Sequence, residues 1–154
     1  MSETSVKGKE VLIKRTPMVL FSMFNDLSRL VMSVPEEYRN EITADKDSIK
    51  VNHRGIHLGL VIDKREPFSL VALKDDGESF LPFYISFHMV PVGIDSTLFH
   101  IELSAKLDFM MKMMIGSKLQ ETVDSITDQI EKALNTGTVD FHSASNEVLF
   151  FIFF

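Results

Sequence analysis

The chain of 154 residues has no cysteine and no tryptophan. Without cysteine there are no disulfides, no thiolate nucleophile, no cysteine-ligated zinc and no iron–sulfur ligation. The same absence fits a reducing compartment, and a cytoplasmic location is the expectation. Basic residues are outnumbered: 16 Lys and Arg stand against 22 Asp and Glu, for a net charge of −6. That balance argues against a nucleic-acid partner, which needs a basic face for phosphates. No run of about 18 apolar residues occurs, so no spanning helix is expected. The first ten residues, MSETSVKGKE, are polar, and no secretory signal is expected there. Seven glycines are scattered and form no phosphate-cradling loop, and no HExxH motif appears.

What is present is 45% hydrophobic residues, among them 13 Phe and 9 Met. These make a soft, adaptable apolar interior, either as packed core or as the wall of a deformable cavity. The most informative stretch runs from Leu107 to Leu134. Phe109, Met113, Leu119, Val123, Ile126, Ile130 and Leu134 recur at helical spacing, with Gly116 in the widest gap. Lys118, Glu121, Asp124, Asp128, Glu131 and Lys132 form the opposite face. Asp108 is suited to cap the N-terminus, and Asn135, Thr136 and Gly137 to stop the helix. Such a helix is roughly 40 Å long and needs a large apolar partner.

The preceding residues supply one. A strand is expected over residues 6–15, with Val11 and Ile13 on one face. Thr16-Pro17 reads as cap and first residue of a helix carrying Val19, Leu20, Met23, Phe24 and Leu27. A second short helix is expected from Ser28 to Val34, ending at Pro35. From Tyr38 the period becomes two. Strands are expected from Ile42, around Ile49 and Val51, over Ile56–Ile62, Phe68–Leu73, Phe83–Val90 and Leu98–Ala105. They are separated by Asp45-Lys46-Asp47, by Gly55 as a bulge, by Glu66-Pro67, by Asp75-Asp76-Gly77 and by Pro91–Asp95. Hairpin spacing implies antiparallel pairing. The fold class expected is α+β: a curved antiparallel sheet of about six to seven strands wrapped on a long C-terminal helix, with two short helices after the first strand.

Several segments carry a family resemblance. They are Val19–Leu30 with Phe24-Asn25-Asp26-Leu27, Gly59-Leu60-Val61-Ile62 followed by Glu66-Pro67-Phe68, the strand Leu98–Leu107, and Met110-Met111-Lys112-Met113-Met114 with Lys118-Leu119-Gln120. From Val11 to Leu134 the chain resembles the SRPBCC superfamily of helix-grip proteins. These include START lipid-transfer domains, pollen-allergen-like binding proteins and polyketide cyclases, and the chain looks closest to short bacterial stand-alone members. The resemblance implies an apolar cavity between sheet and helix that takes lipids, sterols, polyketides or other hydrophobic molecules. It carries no shared catalytic motif.

The residues expected to line such a cavity are Ile85, Phe87, Met89, Phe99, Ile101 and Leu103 from the sheet, and Met110, Met113, Met114 and Ser117 from the helix. The competing reading is that they fill the space as close-packed core. No catalytic residue is assigned. Arg15, His53, Arg54 and Glu66 stand near strand ends, where they reach a cavity mouth or are simply solvated. His57, His88 and His100 fall on the polar phase of their strands; two can meet across neighbouring strands, but no third ligand is evident, so no metal and no cofactor is expected. The function expected is a non-catalytic carrier for a hydrophobic small molecule or lipid, with a polyketide cyclase/aromatase-like enzyme or a protein-interaction module as alternatives. Residues 1–137 are expected to form one domain. Residues 138–154, ending in VLFFIFF, read as an apolar extension: a docked strand or plug, a dimer-forming segment, or an appendix. Its deletion is expected to expose apolar surface.

Overall fold

The computed structural model describes residues 2–29, 36–79 and 81–136. Eight strands and three helices are found among them. In chain order they are β1 (Ser2–Lys7), β2 (Val11–Ile13), α1 (Pro17–Phe24), α2 (Glu36–Arg39), β3 (Ile42–Ala44), β4 (Ser48–His53), β5 (Ile56–Glu66), β6 (Leu70–Asp75), β7 (Phe83–Val92), β8 (Ser96–Leu107) and α3 (Phe109–Asn135). The strands form one antiparallel sheet in the order β1-β8-β7-β6-β5-β4-β3, with β2 also paired to β8. Each strand from β3 to β8 pairs with its sequence neighbour, as short hairpin connections dictate.

The single first strand expected over residues 6–15 is two strands, both on β8 and interrupted at Gly8. The interruption has a steric cause. A Cβ on Gly8 would lie 2.5 Å from Val123 Cγ1 of α3 and 3.1 Å from the Ile101 carbonyl oxygen. The backbone N–H of Gly8 donates to that carbonyl at 2.7 Å, so the chain presses between sheet and helix where no side chain fits.

Local signals act as their chemistry requires. Thr16 Oγ1 accepts from the Val19 N–H and Pro17 opens α1. Asp45 Oδ1 accepts from the N–H groups of Asp47 and Ser48, closing the β3–β4 turn. Those bonds hold the Asp45 carboxyl below its usual range, the Asp47 N–H most of all. Gly55 is not a bulge: Arg54 and Gly55 have φ of 51° and 79°, the pair of positive values of a two-residue type I′ hairpin. The true bulge lies in β5 between Ile62 and Lys64. Helix α2 falls after Pro35, where the sequence was expected to turn directly to strand. Most of the expected helix at Ser28–Val34, and the whole of 138–154, lie outside the described residues.

One face of the sheet is apolar. Val51, Leu58, Leu60, Val71, Leu73, Ile85, Phe87, Met89, Phe99, Ile101 and Leu103 are buried on it. Helices α1 and α3 cover this concave face, α3 through Val123, Ile126 and Leu134 and α1 through Leu20 and Phe24. No helix is long and apolar enough to cross a membrane among the described residues.

Candidate functional site

The space between the concave face and α3 is the first candidate. All six sheet residues expected there face inward, each 8% exposed or less. Period-two patterning is sufficient to place them, because one residue of slip would turn the whole set to solvent. The ring of Phe24, at the end of α1, stacks on Phe87 at 4.5 Å and on Phe99 at 5.6 Å. Phe87 and Phe99 are themselves 6.5 Å apart. Three near-parallel rings thus fill the part of the concave face beneath α1, and Phe24, expected from spacing on the apolar stripe of that helix, packs directly on two of the six sheet residues.

The helix side differs from expectation. Met110 and Met113 are 71% exposed, Met114 is 66% exposed and Ser117 is exposed, as is Phe109. None of them faces the sheet. Met111, Ile115 and Leu119 do, and they continue into Val123, Ile126, Ile130 and Leu134. The inward stripe starts from Met111, not from Phe109, and runs at steps of four with one step of three at Val123–Ile126. Four methionines in five positions hide the phase, since hydrophobicity cannot tell one side of such a turn from the other.

Burial along α3 is graded. Val123, Ile126, Thr127 and Leu134 are fully buried, all in its C-terminal half. Met111, Ile115 and Leu119 are only half-buried. Polar ties follow the same gradient. Asn135 Oδ1 accepts from Lys14 N–H at 2.7 Å and its Nδ2 donates to the Leu12 carbonyl at 3.0 Å. Asp124 Oδ1 accepts from Lys9 N–H at 3.0 Å, and Lys9 pairs with Asp128. Gln120 Nε2 donates to the Lys7 carbonyl at 2.9 Å. At its N-terminus the helix is capped within itself, where Asp108 Oδ1 accepts from Met111 N–H at 2.8 Å.

The rim of the concave face is tied by a residue that sequence reasoning passed over. Arg65 donates from Nε to Asn25 Oδ1 and from Nη2 to the Asn25 carbonyl and Asp47 Oδ1, joining the end of α1 to the β3–β4 turn. Of the four strand-end residues considered, Glu66 pairs with Lys64, and His53 Nδ1 lies 2.7 Å from Glu41 Oε2. The carbonyl of Arg15 accepts from the buried Thr97 hydroxyl at 2.7 Å, and the backbone of Arg54 forms the hairpin turn.

The outer face of the sheet carries two further clusters. In the first, His57 Nε2 is 2.7 Å from Asp76 Oδ2 and its Nδ1 is 3.0 Å from Asn52 Oδ1. Asp76 Oδ1 accepts from Glu78 N–H and from Ser79 Oγ, and the Gly59 N–H donates to Ser79 Oγ. A Cβ on Gly59 would meet Asp76 Oδ2 at 2.0 Å, so glycine is required for the carboxylate to lie over the strand. Burial pushes the Asp76 carboxyl up, but the hydrogen bonds of His57, the Glu78 N–H and Ser79 and the electrostatic attraction of His57 together outweigh it, and its pKa lies below the usual value.

In the second cluster, His88 of β7 and His100 of β8 are direct cross-strand partners whose rings stack at 4.4 Å and 9°. Glu102 Oε2 lies 2.5 Å from His88 Nε2 and 3.4 Å from His100 Nε2. Ser86 Oγ is 2.8 Å from His88 Nε2. Glu102 is the third group that the sequence left unidentified; it follows His100 on the same face of β8, and the β7–β8 register brings His88 to the pair. Burial holds the His88 ring below the usual histidine range, against the pull of Glu102 and with help from His100. The cluster borders a trough of about 470 Å³ lined by Ser5, Lys7, Tyr84, Ser86, Glu102 and Ser104, among others.

No protein-family model matches the chain, and no curated protein matches its sequence. Solved structures do. The fold is similar to a START superfamily protein from Mycobacterium smegmatis, at TM-score 0.59 and 15% identity, covering 87% of this chain and 99% of that one. It is similar to norcoclaurine synthase from Thalictrum flavum, at TM-score 0.57 and 11% identity over 97% of this chain and 87% of that one. It is similar to the Aha1 dimer from Colwellia psychrerythraea, at TM-score 0.51 and 16% identity over 89% and 98%. The chain therefore has the helix-grip fold of START-like and SRPBCC proteins, as its sequence suggested.

Proposed function

We propose that the protein is a non-catalytic carrier for a hydrophobic small molecule or lipid, held between the concave face and the N-terminal half of α3. The observation that carries this reading is the gradient along α3. Its C-terminal half is closed on the sheet, while Met111, Ile115 and Leu119 are half-covered beside a stripe of exposed Phe109, Met110, Met113 and Met114. Met111, the one methionine of this turn that faces the sheet, is flexible and polarizable and suits a wall that adapts to different apolar shapes. The START superfamily protein shares the fold, which is consistent with this reading. The polyketide cyclase-like alternative asks for an acid or base in the interior. Among the described residues the polar side chains buried as a whole are Thr97 and Thr127, each donating to a backbone carbonyl, and neither serves. The acid on the inward phase is Asp75, opposite Leu60 at the end of β6, whose Oδ1 is buried without a partner while its Oδ2 accepts from the Gly77 N–H, and it is the group that alternative would have to use.

The test is native mass spectrometry of the purified chain followed by denaturing extraction. One apolar molecule per chain supports the carrier. Met111→Arg and Ile115→Arg should then abolish uptake of a fluorescent fatty acid, while Met113→Arg leaves it unchanged. A ligand-free mass with no saturable uptake contradicts the carrier. It favours the second reading, an interaction module whose contact surface is the exposed Phe109–Met114 stripe, a second copy of the chain included.

A further inference from the structure

We propose that His88, His100 and Glu102 form a binding site for a divalent transition-metal ion on the outer face of the sheet. The site lies on the opposite side of the sheet from the apolar interior and stands independently of the carrier reading. Its ligand set is two imidazoles and one carboxylate, the nitrogen and oxygen donors suited to zinc and its neighbours. Their ligand atoms all lie within 4.8 Å of one another.

The geometry is close to what a metal needs. Ligand atoms about 2.0–2.1 Å from a tetrahedral ion are roughly 3.3 Å apart. His100 Nε2 and Glu102 Oε2 are already 3.4 Å apart. His88 Nε2, at 2.5 Å from the same oxygen, has to open by under about 1 Å. Both rings present Nε2 to the same carboxylate oxygen. The broad torsion about the Cβ–Cγ bond of histidine lets the stacked rings tilt toward a shared ion. The backbone is rigid here, because β7 and β8 are central strands in continuous register from Phe83 to Val92 and from Ser96 to Ala105. Three protein ligands next to an open trough leave a coordination position free for water or a small anion. Lys7 also lines the trough, with its ammonium paired to Glu10 Oε1 at 3.2 Å.

The other three-residue cluster, His57, Asp76 and Glu78, does not compete on equal terms. Both oxygens of Asp76 already accept, one from His57 and the other from Glu78 N–H and Ser79. That carboxylate holds the turn over Gly59, whereas Glu102 is half-exposed and its contacts are the two histidines.

The experiment is calorimetric titration of the chelator-treated, tag-free chain with ZnCl2, with a visible spectrum of the Co2+ form beside it. The expected result is one saturable equivalent per chain and the intense bands of a four-coordinate Co2+ site. His100→Ala and Glu102→Gln should each weaken binding by more than about tenfold, and His57→Ala should leave it unchanged. Glu102→Gln keeps the side-chain shape, so it reports even where a histidine variant fails to fold. Absence of a saturable equivalent, or binding indifferent to both His100→Ala and Glu102→Gln, overturns the site; loss with His57→Ala alone assigns the metal to the other cluster.

Discussion

The two halves of α3 belong to one continuous helix and meet the same sheet, yet they are held differently. From Val123 to Asn135 the helix buries Val123, Ile126, Thr127 and Leu134, and its Asp124 and Asn135 side chains bond the backbone around β2. From Phe109 to Leu119 it offers half-buried Met111, Ile115 and Leu119 and turns Phe109, Met110, Met113 and Met114 to solvent. A helix of this length does not have to be equally stable throughout. Local stability follows local burial and tertiary hydrogen bonding. In this chain the C-terminal half anchors, and on the proposed carrier reading the N-terminal half is the part that adjusts to a guest.

Substitutions test that contrast directly. Ile126→Ala should cost about 2–5 kcal/mol in urea denaturation, as for other fully enclosed aliphatic side chains. Ile115→Ala, half-buried, should cost well under half of that, and equal losses would erase the distinction. Gly8→Ala comes next. A methyl group 2.5 Å from Val123 Cγ1 and 3.1 Å from the Ile101 carbonyl must lift the anchored half, at about 1–3 kcal/mol. Restoring space with Val123→Ala in the same chain should recover part of the loss. Acid reaches a region outside the helix. Because Asp76 titrates below its unfolded value, its contribution is complete above about pH 4. It is lost as pH falls through the folded value. Asp76→Asn should therefore flatten the acid limb of stability while costing about 1–3 kcal/mol at neutral pH, and leave the contrast within α3 intact. Asp108→Ala, which removes the cap from the less anchored half, should cost about 1 kcal/mol. Met113→Ala should be neutral to within about 0.5 kcal/mol, the ordinary result for a solvent-facing position.

Much of this was legible in the sequence. Alternation placed Ile85, Phe87, Met89, Phe99, Ile101 and Leu103 on the inner face because a strand has only two sides. Thr16 and Asp108 announced their helices by the local chemistry of capping. The failures share a cause, which is that they depend on what lies across space. The inward phase at the start of α3 was hidden by methionine on every side and by Gly116, so the stripe was anchored on Phe109 instead of Met111. Alternation already puts His100 and Glu102 on one face of β8, but His88 joins them only through the β7–β8 register, and Glu102 sits among polar residues that read as an ordinary exposed face. Gly8 breaks the first strand because of Val123, 115 positions away, and Gly59 is fixed by Asp76 folding back over it. No local pattern carries either fact.

The most direct measurement is residue-resolved amide hydrogen exchange across α3 in protein stripped of bound apolar molecules. The account predicts that amides from Met111 to Leu119 exchange at least about tenfold faster than those from Val123 to Leu134. A fatty acid or other apolar guest should slow the first set and leave the second unchanged. Uniform protection along the helix, indifferent to any such guest, would contradict it.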